Sequence, residues 1–203
     1  MNLFFFTSNE SKVQWANDLA KAHKLDIKFV QKKIQFNEGR ELDVANIAKN
    51  KIAEASSSNK EPFIVEDSGF YIQKLGGFPA THVNFMIQTI GINGLLKLLK
   101  DYSGEERNLI ARSAIGYFDG KERHIFIGED VGRIAEQPRG KTDKGWGEFM
   151  RILMPIDKNK TFSEFTETEW YDYTRGPKRQ DALARSLDQL LNFLGRKDIK
   201  PSK

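Results

Sequence analysis

The chain has no cysteine, which excludes disulfides, thiolate metal sites and a cysteine nucleophile. Histidine is scarce: His23, His82 and His124 are the only three. They are too scattered for a histidine zinc site and do not sit where a Ser-His-Asp triad would need one. No apolar run approaches the roughly 20 residues of a membrane span. Met1 to Thr7 is apolar but has no basic stretch and meets polar residues at once, so it does not read as a secretion signal. Strong charge is missing as well. A formal net charge of +4 and a pI near 9.1 suit anion binding but are too mild to imply nucleic acid. There is no G-x-x-x-x-G-K-[ST] loop, no G-x-G-x-x-G after a strand and no G-x-S-x-G elbow. Internal repeats and low-complexity tracts are also absent. With 203 residues, this points to a single domain over residues 1–203 with a frayed tail at 197–203, in the cytoplasm by default.

What the chain does have is an alternation of strands and helices. Leu3–Phe6 reads as a buried strand. Thr7-Ser8-Asn9 can cap a helix on which Val13, Ala16, Leu19, Ala20 and His23 recur at helical spacing. Asp26–Val30 is a second strand, and a helix from about Asp43 carries Val44, Ile47, Ala48, Ile52 and Ala55. Pro62–Val65 is a third strand. Helical patterning follows Pro79 and breaks at Gly91–Gly94. Two β-rich runs, Asn108–Phe118 and His124–Ala135, flank Asp119-Gly120-Lys121-Glu122, a strong hairpin signal. A glycine-rich basic loop spans Pro138 to Gly147. A strand at Arg151–Met154, a short helix within Phe162–Trp170 and a helix from Gln180 to Leu194 complete the chain.

The chemistry concentrates around Val65-Glu66-Asp67-Ser68-Gly69. Two carboxylates are expected at the end of the third strand, where ligands of α/β proteins sit. Neighbouring carboxylates there need a metal ion or basic side chains beside them. Upstream, Ser8, Asn9 and Lys12 stand at a helix N-terminus, a natural anion site. Glu38 lies in a loop. Arg139 with Lys141 and Lys178 with Arg179 are basic, and Trp146 between glycines offers a ring for stacking a base. Carboxylates for a divalent ion, cations and N–H groups for phosphates, and a carboxylate to deprotonate a water together suit a metal-bound polyanion. Each feature also has a structural alternative. Asp67-Ser68-Gly69 is good turn chemistry, Asn9 with Lys12 makes an ordinary cap, and Trp146 could anchor its loop on the core.

The order Thr7-Ser8-Asn9-Glu10-Ser11-Lys12, Glu38, Glu66-Asp67-Ser68-Gly69, Leu75-Gly76-Gly77-Phe78-Pro79, then Gly132-Arg133-Ile134 with Pro138-Arg139-Gly140 resembles the inosine/xanthosine triphosphate pyrophosphatase family. The resemblance runs from residue 3 to about 194. It implies an elongated, two-lobed α/β fold with a curved mixed sheet and a central groove. It also implies a homodimer and Mg²⁺-dependent hydrolysis of a non-standard purine nucleoside triphosphate to the monophosphate and pyrophosphate. By position, Thr7, Ser8, Asn9, Lys12 and Lys51 would hold the triphosphate, and Ser68 would contact the substrate. Glu38 and Asp67 would serve the metal, and Asp67 would activate the water. Trp146, Lys178 and Arg179 fall in the base-binding motifs, where the departures concentrate. Lys144 stands for the family's stacking Phe and Gly147 for its Asp. Pro177-Lys178-Arg179 replaces Ser-His-Arg, Tyr173 aligns near a family lysine, and Ala80 replaces a glycine. Base selection is therefore expected to be altered or relaxed. The competing class is a non-catalytic nucleotide- or nucleic-acid-binding protein on the same fold.

Overall fold

The computed structural model describes residues 1–36, 41–141 and 145–198. Glu38, Lys144 and the end of the tail lie outside the described residues. Strands β1 (Asn2–Phe6), β2 (Lys28–Lys32), β3 (Phe63–Ile72), β4 (Pro79–Ala80), β5 (Asn108–Phe118), β6 (Arg123–Ile134) and β7 (Leu153–Pro155) form one seven-stranded mixed sheet, ordered β2-β1-β3-β5-β6-β7 with β4 beside β3. The helices are α1 (Glu10–Ala22), α2 (Val44–Ser58), α3 (Val83–Thr89), α4 (Gly91–Leu98), α5 (Glu167–Thr174) and α6 (Ala182–Asp198). The expected α/β class and mixed sheet are found. Among the described residues no helix is long and apolar enough to cross a membrane.

Side chains alternate across a strand, and that alternation divides the layers. Leu3, Phe5, Ile64, Ile115 and Tyr117 pack with α1 and α6. Phe6, Phe63, Val65 and Phe118 face the other way and pack with Ile52 and Ala55 of α2. Glycine allows each helix to approach closely. A Cβ on Gly116 would lie 2.3 Å from Ile52 Cδ1, and one on Gly128 would lie 2.0 Å from the Ala182 carbonyl oxygen at the start of α6. A separate core gathers Phe70, Ile72, Leu95, Leu99, Phe149 and Phe162 at the far end of β3. Nearby, the buried Arg107 guanidinium donates to the carbonyls of Leu99, Tyr102, Ile134 and Ala135, so its burial is compensated by main-chain acceptors.

β3 carries the site and departs from expectation. It does not end at Val65 but runs on unbroken to Ile72, paired with β5 along its whole length. Its other edge is shared by two strands. β1 pairs with it in parallel as far as Val65, and β4 pairs antiparallel from Phe70. Between them, Glu66 to Gly69 have a strand neighbour on one side only. The carboxylates thus sit where a partner strand ends, not where their own does. The long hydrogen-bonded register with β5 overrides the turn preference of Asp-Ser-Gly. Gly69 is needed at the junction, since a Cβ there would lie 2.8 Å from the Ala80 carbonyl oxygen. Ala80, standing for the family glycine, adopts φ +54°, a conformation that L side chains resist.

Candidate active site

A groove of about 1420 Å³ opens at this gap in the sheet. Adjacent residues of a strand point to opposite faces, so Glu66 and Asp67 each need a separate cation, and each has one. Glu66 points to the α1/α6 face. Its Oε2 accepts from Lys12 Nζ of α1, and its Oε1 accepts from the hydroxyls of Ser68 and Ser113. Asp67 points to the α2 face, where Oδ1 accepts from Lys51 Nζ at 2.7 Å. Lys51 also donates to the Glu66 carbonyl at 3.2 Å, meeting a main-chain acceptor that the missing strand leaves open. Thr7, Ser8, Asn9, Ser11, Lys12, Lys51, Glu66, Asp67 and Ser68 all line the groove.

The electrostatics differ between the two pairs. Burial alone would lower the Lys12 ammonium and raise the Glu66 carboxyl. Their mutual attraction outweighs it, holding Lys12 above and Glu66 below their ordinary values. Burial raises Asp67, with Lys51 opposing and the neighbouring Glu66 charge adding to the rise. Asp67 is therefore the more basic carboxylate of the two, the property required of a proton acceptor. At the head of α1, Asn9 Oδ1 accepts from Ser11 N at 3.0 Å and Lys12 N at 3.4 Å, and Thr7 Oγ1 accepts from Asn9 N at 3.1 Å. Asn9 is thus a cap and a groove residue at once.

The donor set bears on a divalent ion. Glu66 has both oxygens occupied by donors, whereas Asp67 has one oxygen in an ion pair and the other without a hydrogen bond among the described residues. Asp67 suits a hard-cation ligand, and Glu66 does not. Asp119, Glu122 and His124 also bring ligand atoms within 4.8 Å of one another, but they belong to the β5–β6 hairpin and do not line the groove.

The expected base-reading residues fare differently. Trp146 lines the groove and packs edge-on against Phe70 at 5.7 Å, so it anchors its loop on the core while facing the cavity. Lys178 and Arg179 are not brought to the groove. Lys178 is exposed. Arg179 turns to α6 and chelates Asp188, with Nε to Oδ2 at 2.7 Å and Nη2 to Oδ1. A bidentate carboxylate is a strong competitor for a guanidinium. Arg139 is likewise engaged, 3.3 Å from Glu164. Tyr173, near the family lysine position, donates its hydroxyl to buried Asp130.

Across these regions the model of the Ham1 family matches residues 3–185. The chain belongs to the Ham1 family. It is 34% identical to the dITP/XTP pyrophosphatase of Pyrococcus horikoshii over 170 residues, covering 83% of this chain and 87% of that one. It is also 34% identical to the dITP/XTP pyrophosphatase of Thermococcus kodakarensis over 194 residues, covering 96% and 97%. A HAM1 protein from Coxiella burnetii has the same fold, with a TM-score of 0.79 at 20% identity and coverage of 97% and 99%.

Within this Ham1 chain, several groove residues escaped the sequence reading. Trp15 and Trp170 line the groove beside Trp146, but on amphipathic helices they look like core residues. Asp181 also lines it and caps α6 by accepting from Leu183 N at 2.9 Å and Ala184 N at 3.2 Å. Its position before a helical pattern was a usable signal for the cap, though not for the groove. Burial raises Asp181 to about 6, the Leu183 and Ala184 N–H groups opposing and the Glu66 charge adding. Burial raises Asp130 to about 7, with the Asp181 charge adding. The Tyr173 hydroxyl, which donates to Asp130, supplies no charge to offset these two carboxyls.

Proposed function

We propose that the chain hydrolyses a non-standard purine nucleoside triphosphate to the monophosphate and pyrophosphate. The observation that carries this reading is the pair of lysine–carboxylate contacts, Lys12 with Glu66 and Lys51 with Asp67, on either side of one groove at the gap in the sheet. The names of the relatives support the same reaction.

Lys12, Lys51, Ser8 and the capped N-terminus of α1 bind the triphosphate. Asp67 accepts a proton from water as the water oxygen attacks the α-phosphorus. The bond from the α-phosphorus to the bridging oxygen breaks, and pyrophosphate leaves with that oxygen. The cations offset the charge that develops on the departing group. Mg²⁺ held by Asp67 and Glu38 would supply further charge neutralisation. The exposed Phe78, Phe85, Ile90 and Leu98, from the β4 turn, α3 and α4, support a homodimer, and cytoplasmic residence fits a nucleotide-pool enzyme.

The test is pyrophosphate release from ITP, XTP, dITP, GTP and ATP with Mg²⁺. Turnover is expected, and Asp67→Asn should reduce kcat by about 10³-fold with unchanged circular dichroism. Binding without pyrophosphate from any triphosphate would instead make the chain a non-catalytic nucleotide binder.

A further inference from the structure

Resting on the pyrophosphatase reading, we infer that Lys33 reads the terminal phosphate, so that the groove takes triphosphates in preference to diphosphates. Lys33 and Gln35, both exposed, line the groove in the segment that follows β2. Their neighbours Ile34 and Phe36 pack against the core around Phe6 and Phe63. Alternate residues thus anchor the segment while the two polar ones stay at the cavity. The segment is also tied to the head of α1. Gln31 Nε2 donates to the Thr7 carbonyl at 3.1 Å, and Thr7 N donates to the Lys32 carbonyl at 3.3 Å.

The order of the sheet gives Lys33 its place. Strands β2, β1 and β3 are adjacent and parallel, and their register sets Lys32, Phe6 and Val65 side by side. Immediately beyond that line each strand delivers residues to the groove, Glu66 and Asp67 from β3, Thr7 and Ser8 after β1, and Lys33 after β2. Neighbouring strands stand about 4.8 Å apart, a step that successive phosphates can span with a lysine reaching in from the end. A triphosphate whose α-phosphorus lies at Asp67 therefore crosses the head of α1 and presents its last phosphate toward β2. The charge balance points the same way. Lys12, Lys51 and Arg112 each face a carboxylate, at Glu66, Asp67 and Glu129. Lys33 has no hydrogen bond or ion pair among the described residues. Its ammonium can meet an incoming anion without giving up a carboxylate of the protein. The Gln35 amide, equally uncommitted among the described residues, adds a neutral donor beside it.

The test compares ITP with IDP, following IMP formation with Mg²⁺. Wild type should favour ITP. Lys33→Ala should lower kcat/KM for ITP about ten-fold, mainly through KM, and leave that for IDP within about two-fold. Lys33→Arg should restore the preference, and Gln35→Ala should cost about three-fold on ITP alone. The Lys33→Ala loss should shrink as salt is raised, because the ammonium is exposed. A second measurement needs no turnover. In calorimetric titrations Lys33→Ala should bind inorganic tripolyphosphate about ten-fold more weakly and IMP as wild type does. Equal losses on ITP and IDP would overturn the inference, as would unchanged tripolyphosphate affinity in folded Lys33→Ala. These outcomes separate from failure of the parent reading. If wild type forms no IMP from ITP, the enzyme is removed and the titrations still decide Lys33. If turnover of ITP persists undiminished in Lys33→Ala, the enzyme stands and the role of Lys33 falls.

Discussion

The two faces of the sheet line the same groove in opposite ways. On the α2 face Asp67 and Lys51 form a polar site from few groups. On the α1/α6 face, beyond Lys12 and Glu66, the groove wall becomes aromatic, supplied by three tryptophans. A charged site is demanding about geometry, because a misplaced buried charge is costly. An apolar wall tolerates exchange, because stacking area has no fixed donors to satisfy. The comparison shows one groove joining a charged end of exacting geometry to an aromatic end of looser demands.

The sharpest way to break the comparison is at the charged pair nearest the divide. Glu66 has a side chain only 2% exposed, so Lys12→Ala should destabilise the fold by about 3 kcal/mol, measured by urea unfolding at pH 7. Because Lys12 holds Glu66 below its ordinary value, this contribution is present above the unfolded pKa and lost as pH falls through the folded one. The gap between wild type and Lys12→Ala should therefore shrink below about pH 4. Lys12→Ala with Glu66→Gln should recover much of the loss.

Asp130 tests the other end. Its folded pKa of about 7 lies above its ordinary value of 3.8. The stability it contributes is thus fully present below the unfolded pKa and lost as pH rises through the folded one. Wild type should melt at lower temperature at pH 8 than at pH 5 relative to Asp130→Asn, by roughly 2–4 °C for each kcal/mol involved. Asp181 lies between the two ends and has a folded pKa of about 6. Its ionisation adds negative charge beside Lys12, so KM for a triphosphate should rise about three-fold between pH 5.5 and 8. Asp181→Asn, which can still cap α6, should flatten that rise. The smallest effect is expected at Ala80. Replacing it with glycine relieves the positive φ and should stabilise by up to ~1 kcal/mol, measured as a shift in the unfolding midpoint.

The legibility of the sequence follows the same division. The polar end is written in short contiguous runs, Thr7 to Lys12 and Glu66 to Gly69, because a cap and a strand segment each place neighbouring residues together. The α/β alternation was equally readable, since hydrophobic period reports buried faces directly. The tryptophan wall was not. Trp15 and Trp170 are 155 positions apart in the chain, and only tertiary folding brings them into contact. The continuation of β3 through Asp-Ser-Gly escaped for a related reason, because its register is set by β5, more than 40 residues away. The loss of Arg179 to Asp188 was also hidden. A basic residue near a motif advertises its charge but not the carboxylate that will claim it.

The interruption beside Glu66 to Gly69 has a bearing on how such proteins diverge. Its width is set by where β1 stops pairing and where β4 begins, which are properties of chain path. Apart from the bare Cα that β4 requires at Gly69, no particular residue around it has to be retained for the opening to persist. A lineage can therefore exchange the side chains that wall the groove while inheriting the doorway unchanged. Closing it would take an insertion that lengthens β1, a rarer kind of event than a substitution.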